Sequence, residues 1–168
     1  MPNASCRRPT LALVACLGAT FAAAAIGGLA SVRSTSFYSD LARPAWAPPA
    51  GVFGPVWTVL YVMMALAAWL AWLARHRRSL GDVRLAAVLF GAQLGANALW
   101  TWLFFAWRLG LWAFVEILVL WGLIAATAFV FWRLRHLAGL LLLPYLAWVS
   151  FAAALTFAIW RLNPHLLQ

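Results

Sequence analysis

The stretch that decides the fold is Leu85-Ala-Ala-Val-Leu-Phe90-Gly-Ala-Gln-Leu-Gly95-Ala-Asn-Ala-Leu-Trp100-Thr-Trp-Leu-Phe-Phe105-Ala-Trp107, 23 residues without a charge. About 20 apolar residues are enough to carry an α-helix across a ~30 Å hydrocarbon core. Four further stretches of the same kind flank it. Residues 9–32 and 44–74 carry no charge, 109–132 carries only Glu116, and 137–160 carries none. Lipid cannot satisfy free backbone N–H and C=O groups, and the alternating pattern of a barrel strand is absent, so the spans should be helices. The expected spans are residues 10–31, 52–73, 85–106, 110–132 and 138–160. The fold class is therefore an all-α integral membrane protein, a five-transmembrane-helix bundle forming one domain over 1–168.

Composition agrees. Of 168 residues, 67% are hydrophobic and 9% charged, against about 45–50% and 25% in soluble domains. So few charges cannot cover the surface of a small soluble enzyme, and they exclude a disordered tail or a coiled coil. The net charge of +9 comes from twelve Arg, with no Lys, against Asp40, Asp82 and Glu116. These arginines lie between the apolar runs. There, topology and the anionic headgroups of the bilayer account for them, and no nucleic-acid partner is expected. Eight of them (Arg7, Arg8, Arg75, Arg77, Arg78, Arg84, Arg133, Arg135) fall on the N-terminal side of five spans. Four (Arg33, Arg43, Arg108, Arg161) fall on the other, which predicts a cytoplasmic N-terminus. The first run is expected to stay as a helix. Its Leu13-Val14-Ala15-Cys16 box resembles a lipoprotein cleavage site, but only residues 11–14 would form the apolar core before it, too short for a leader. Cys6 and Cys16, ten residues apart, read as idle thiols rather than a disulfide or metal framework.

Most connections are short. The exception is 31–55, with Pro44, Pro48, Pro49 and Pro55, two glycines and the aromatics Phe37, Tyr38, Trp46 and Phe53. Proline fixes φ and removes a donor, which predicts an ordered, non-helical loop over about 32–51, packed on the bundle as a lid.

Twelve Trp are the strongest compositional signal. Trp69, Trp72, Trp107, Trp132 and Trp160 lie near predicted helix ends, as an interfacial belt requires. In the second span Phe53, Trp57 and Tyr61 recur at i, i+4, i+8 and make an aromatic stripe. In the third, Gln93, Asn97 and Thr101 share that spacing, with Trp100 beside them. Amides facing lipid are costly, so this face should point inward. In the fifth, Tyr145, Trp148, Ala152 and Leu155 share a face. Such faces serve as interhelical glue, or together enclose a flat, mostly apolar ligand. The small residues Ala87, Gly91, Gly95 and Ala98 form another face of the third span, about 140° from Gln93 and Asn97 at 100° per residue. It suits close approach of a helix of the same chain or of a second subunit in a homodimer. Enzyme signatures are missing. His76, His136 and His165 lie outside the spans, no carboxylate pair exists, and Ser150 and Thr156 have no nearby His. No catalytic residue, metal site or required cofactor is assigned. Glu116 would pair with Arg108 if the helix start bends, or with a neighbouring helix.

These residues form a familiar pattern. Phe37-Tyr38-Ser-Asp-Leu41-Ala-Arg43-Pro44-Ala-Trp46-Ala-Pro48-Pro49 and Phe53-Gly-Pro55-Val-Trp57-Thr-Val-Leu60-Tyr61 resemble the signature of the TspO and mitochondrial translocator protein (peripheral benzodiazepine receptor) family. The similarity continues in order through Gln93, Asn97, Trp100, Phe104-Phe105, Glu116, Trp121, Pro144-Tyr145, Trp148 and Trp160-Arg161-Leu162-Asn163. It covers about residues 10–163.

The resemblance implies a five-helix bundle, usually dimeric, that binds porphyrins such as protoporphyrin IX or a haem-like tetrapyrrole, sterols, and isoquinoline or benzodiazepine-type ligands. It implies a receptor or sensor acting on tetrapyrrole metabolism or stress, with porphyrin transport or light-dependent porphyrin degradation as alternatives. By the same resemblance, Trp46 belongs to the lid and Phe53, Trp57 and Tyr61 to the second span's wall. Asn97 and Trp100 fall to the third span, Trp112 to the fourth, and Trp148, Ala152 and Leu155 to the fifth. Trp57 and Asn97 would make the polar contacts to a ligand carbonyl. The chain departs from the family pattern at Ala45, where a tandem Trp is common, and at Thr156, where Asn is common. Phe157 stands where the animal members' sterol motif has Tyr.

Overall fold

The computed structural model describes residues 4–31 and 34–167, with side chains for 9–31, 37–76 and 78–167. The side chains of Cys6, Arg7, Arg8 and Arg77, and the whole of Arg33, lie outside what is described. Seven α-helices follow one another: α1 (Ala4–Ala30), α2 (Ser34–Asp40), α3 (Phe53–Leu73), α4 (Leu80–Thr101), α5 (Gly110–Leu134), α6 (His136–Leu140) and α7 (Leu143–Leu162). No strand occurs among the described residues. Five segments are long and apolar enough to cross a membrane: Pro9–Ala30, Ala50–His76, Leu80–Ala106, Gly110–Leu134 and His136–Leu162.

Three expectations need correction. The lid is not wholly non-helical, because α2 occupies Ser34–Asp40 and a 3-10 turn, Ala50–Val52, leads into α3. The prolines begin only at Pro44, so nothing in 34–40 forbids a helix. The third span begins at Leu80, five residues earlier than expected. Ser79 caps it by accepting a hydrogen bond from the Asp82 N–H at 3.1 Å, and Asp82 sits in the first turn where the helix dipole favours an acid. The span then ends in a π-helical turn, Trp102–Ala106. The fifth span is broken between α6 and α7, where Pro144 starts the second piece.

The bundle is built on α4 against α5, α5 against α7, and α1 against both α3 and α4. Its centre holds Met64, Ile117, Leu120, Ile124, Phe131, Tyr145 and Ile159, each no more than 2% exposed. In lipid the drive for helix association is close packing rather than escape from water. Fully buried Ala65, Ala67, Ala113 and Ala138 supply that closeness. Leu11, Val14, Ile26 and Leu29 of α1, and Leu118, Val119 and Phe129 of α5, face outward as lipid-contacting side chains would.

Indole N–H groups knit the helices as well as belting them. Trp69 donates to the Pro9 carbonyl at 2.8 Å, Trp102 to the Ile26 carbonyl at 3.0 Å, and Trp121 to the Ser150 hydroxyl at 2.8 Å. Arg108 has φ 57°, a left-handed conformation unusual outside glycine, in the turn between α4 and α5. Its guanidinium lies 4.8 Å over the Phe37 ring of α2 rather than against Glu116. Both Glu116 carboxyl oxygens are buried with no hydrogen-bond partner.

Candidate functional site

One end of the bundle encloses a cavity of about 450 Å³. The aromatic stripe of α3 forms one wall, with Phe53, Trp57 and Tyr61 all lining it. The i, i+4 spacing sets Trp57 beside Tyr61, with ring centroids 5.5 Å apart and planes tilted by 31°. Trp100, Thr101 and Phe105, from the end of α4 and its π-turn, form the second wall. Widening the last turn turns both Phe104 and Phe105 toward Phe37 of α2, each at 6.5 Å edge-on. The third wall is the end of α1, with Ala24, Gly27 and Gly28, and Ser31 just beyond it. Tyr38 of α2, with Ala50 and Gly51, forms the roof.

The polar groups around this space are few. Trp100 is 9% exposed and its indole N–H has no hydrogen-bond partner, leaving a buried donor on the cavity wall. The Tyr61 hydroxyl donates to Asn97 Oδ1, and Asn97 Nδ2 donates to the Tyr145 hydroxyl at 3.1 Å. That chain links α3, α4 and α7 behind the cavity. Asn97 is 1% exposed and faces the core, so its amide is committed to the two tyrosines. Gln93, one turn earlier and fully buried, has no partner for either end of its amide. Burial lifts the Tyr38 hydroxyl above the ordinary tyrosine range, opposed by a hydrogen bond and the charge of Arg43. It therefore stays a donor near neutral pH, and it donates to the Pro48 carbonyl at 3.0 Å.

The structure thus gathers Phe53, Trp57, Tyr61 and Trp100 at one cavity and sets the other anticipated residues elsewhere. Trp148 sits behind Phe53, ring centroids 6.0 Å apart, and Ala152 and Leu155 are buried in the packed core. Trp46 rests edge-on against Phe151 at 5.7 Å and is 51% exposed. Trp112 is 60% exposed and faces away from the bundle, because position 112 lies on the opposite side of α5 from the buried Ala113, Ile117 and Leu120. Of the small face, Ala98 packs against Gly27 of α1, while Ala87, Gly91 and Gly95 are exposed and nothing among the described residues covers the two glycines. The contribution of α1 escaped the sequence reading. Its Ala- and Gly-rich pattern has almost no amphipathic bias to mark an inner face, though Gly27-Gly28 was a visible clue to space.

The model of the TspO/MBR family matches residues 7–161. The chain belongs to this family. A TspO/MBR relative from Chlorobaculum tepidum, a tryptophan-rich protein TspO, is 39% identical over 92% of this chain and 97% of its own. The translocator protein of Sus scrofa is 36% identical over 82% and 84%, and a tryptophan-rich sensory protein of Cereibacter sphaeroides 37% over 88% of each. The chain is accordingly a multi-pass integral membrane protein, similar to translocator and tryptophan-rich sensory proteins of the TspO/MBR family.

Proposed function

We propose that the protein is a membrane receptor or sensor whose cavity binds a porphyrin-type tetrapyrrole, protoporphyrin IX or a haem-like molecule. The observation that carries this reading is the aromatic enclosure: Phe53, Trp57, Tyr61, Trp100 and Phe105 around about 450 Å³. That volume falls in the range of about 300–1,000 Å³ typical of small-molecule sites. Flat aromatic walls favour a flat, apolar macrocycle through stacking worth about 0.5–1.5 kcal/mol per ring beyond its buried area. Two guanidiniums lie near the roof, Arg43 over Tyr38 at 4.9 Å and Arg108 over Phe37. Neither meets a carboxylate among the described residues, and they would match the carboxylate side chains of such a ligand.

With the N-terminus in the cytoplasm, the roof lies on the outer face of the membrane. The uncovered Gly91 and Gly95 face of α4 would meet its copy in a homodimer.

Fluorescence titration of the purified protein with protoporphyrin IX tests the reading. Trp57→Ala should weaken binding more than about tenfold, equivalent to about 1.4 kcal/mol. Trp112→Ala, on the outer surface, should leave it unchanged. The dimethyl ester of the porphyrin should bind more weakly than the free acid. Equal effects of Trp57→Ala and Trp112→Ala would remove the case for this cavity.

A further inference from the structure

We propose that Asn163, just beyond the last turn of α7, is the latch that holds α2 over the cavity and thereby sets how fast a ligand leaves. The ligand half of this statement rests on the binding reading above. The latch itself is a property of the chain.

Asn163 is 7% exposed, and its amide is used at both ends. Oδ1 accepts from the Ala42 N–H at 2.9 Å, while Nδ2 donates to the Ala42 carbonyl at 2.8 Å and to the Ile159 carbonyl at 2.8 Å. The side chain therefore pairs with the Ala42 backbone as a neighbouring peptide group would, which requires a donor and an acceptor on one short arm. The base of the latch is itself fixed. The Leu166 and Leu167 N–H groups return to the Asn163 carbonyl, and Leu167 is fully buried.

From Ala42 the chain leads straight back into the roof. Leu41 and Tyr38 are each 4% exposed, and the Tyr38 ring stands edge-on to Phe53 at 5.4 Å. Tyr38 lines the cavity and Trp46 does not. Segment 43–47 lies between two fixed points, Ala42 on Asn163 and Pro48 on the Tyr38 hydroxyl. That segment, with the half-exposed Trp46, can shift without uncovering the cavity. Movement of the C-terminal end of α2 away from the bundle must break the bonds at Ala42. The latch thus makes α2, not the Trp46 segment, the element that controls release.

Hydrogen exchange on the full chain in detergent, without ligand, tests the latch. Asn163→Ala should speed exchange of the Ala42 amide at least about tenfold, with the interior amides of α7 still protected. Asn163→Asp keeps the acceptor for that amide and loses the donors, so its effect should be smaller at Ala42. Stopped-flow release of protoporphyrin IX should then be about tenfold faster in Asn163→Ala, with entry little changed, and less affected in Trp46→Ala. Unchanged Ala42 exchange in Asn163→Ala with α7 intact would overturn the latch. Faster exchange with an unchanged release rate would overturn its control of the ligand. Failure of the unsubstituted protein to bind protoporphyrin would defeat the binding reading and, with it, the ligand half, leaving the exchange result to decide the latch.

Discussion

Two sets of glycines sit in opposite surroundings. Gly28, Gly51 and Gly54 line the cavity, and a Cβ added to any of them would meet no atom within 4 Å. Gly110, in the first turn of α5, and Gly139, in α6 just past its last turn, do not line the cavity. A Cβ there would collide with the Trp160 ring and Leu167, or with Trp132 and the Ala128 carbonyl. The same residue type permits helices to touch in one place and leaves room in the other. A bundle stabilised by close packing forfeits dispersion contacts wherever it leaves a gap. The space at the roofed end is therefore a feature with a cost.

Substitutions in the two surroundings should have opposite effects. The largest effect is expected at a packed glycine. Gly139→Ala forces a methyl group onto the backbone of α5 and should lower stability by about 1–3 kcal/mol, read as a fall in thermal midpoint in detergent. Tyr61→Phe should cost about 1 kcal/mol, because the buried Asn97 carbonyl loses its donor, and the same thermal scan measures it. Gly28→Ala should be neutral or stabilising by up to about 1 kcal/mol, since the site is open and alanine is the better helix former. Gly95→Leu should leave the stability of the single chain unchanged, its Cβ pointing into open space. In analytical ultracentrifugation it should shift a dimer toward monomer, because the bulky side chain blocks backbone approach. A loss of stability in Gly28→Ala as large as in Gly139→Ala would erase the distinction between the two regions.

The spans were legible because charge is excluded from hydrocarbon so strongly that gaps between arginines mark helix ends. α2 was not, because seven residues of mixed polarity carry no periodic signal. The start of α4 was missed because Asp82 and Arg84 looked like a boundary, whereas Asp82 lies in the first turn of the helix and Ser79 caps it. In the site, the stripe of Phe53, Trp57 and Tyr61 follows from spacing alone. Spacing also gave α7 an aromatic face, yet Trp148, Ala152 and Leu155 back the cavity or fill the core instead of lining it. Periodicity identifies an inward face and says nothing about whether the space inside is filled. Asn97 was legible as buried but not as spent on Tyr61 and Tyr145. The role of Asn163 depends on a contact across 121 residues, which no local pattern announces.

On the binding reading proposed above, the open space between α1, α3 and α4 is the site. Titration of Gly28→Leu and Gly54→Leu with protoporphyrin IX tests this most directly, since the two glycines line different walls of the cavity and a Cβ added to either meets no atom within 4 Å. Both variants should keep their thermal midpoints and lose more than about tenfold in affinity. Undiminished binding by both folded variants would contradict the claim and place the ligand outside this cavity.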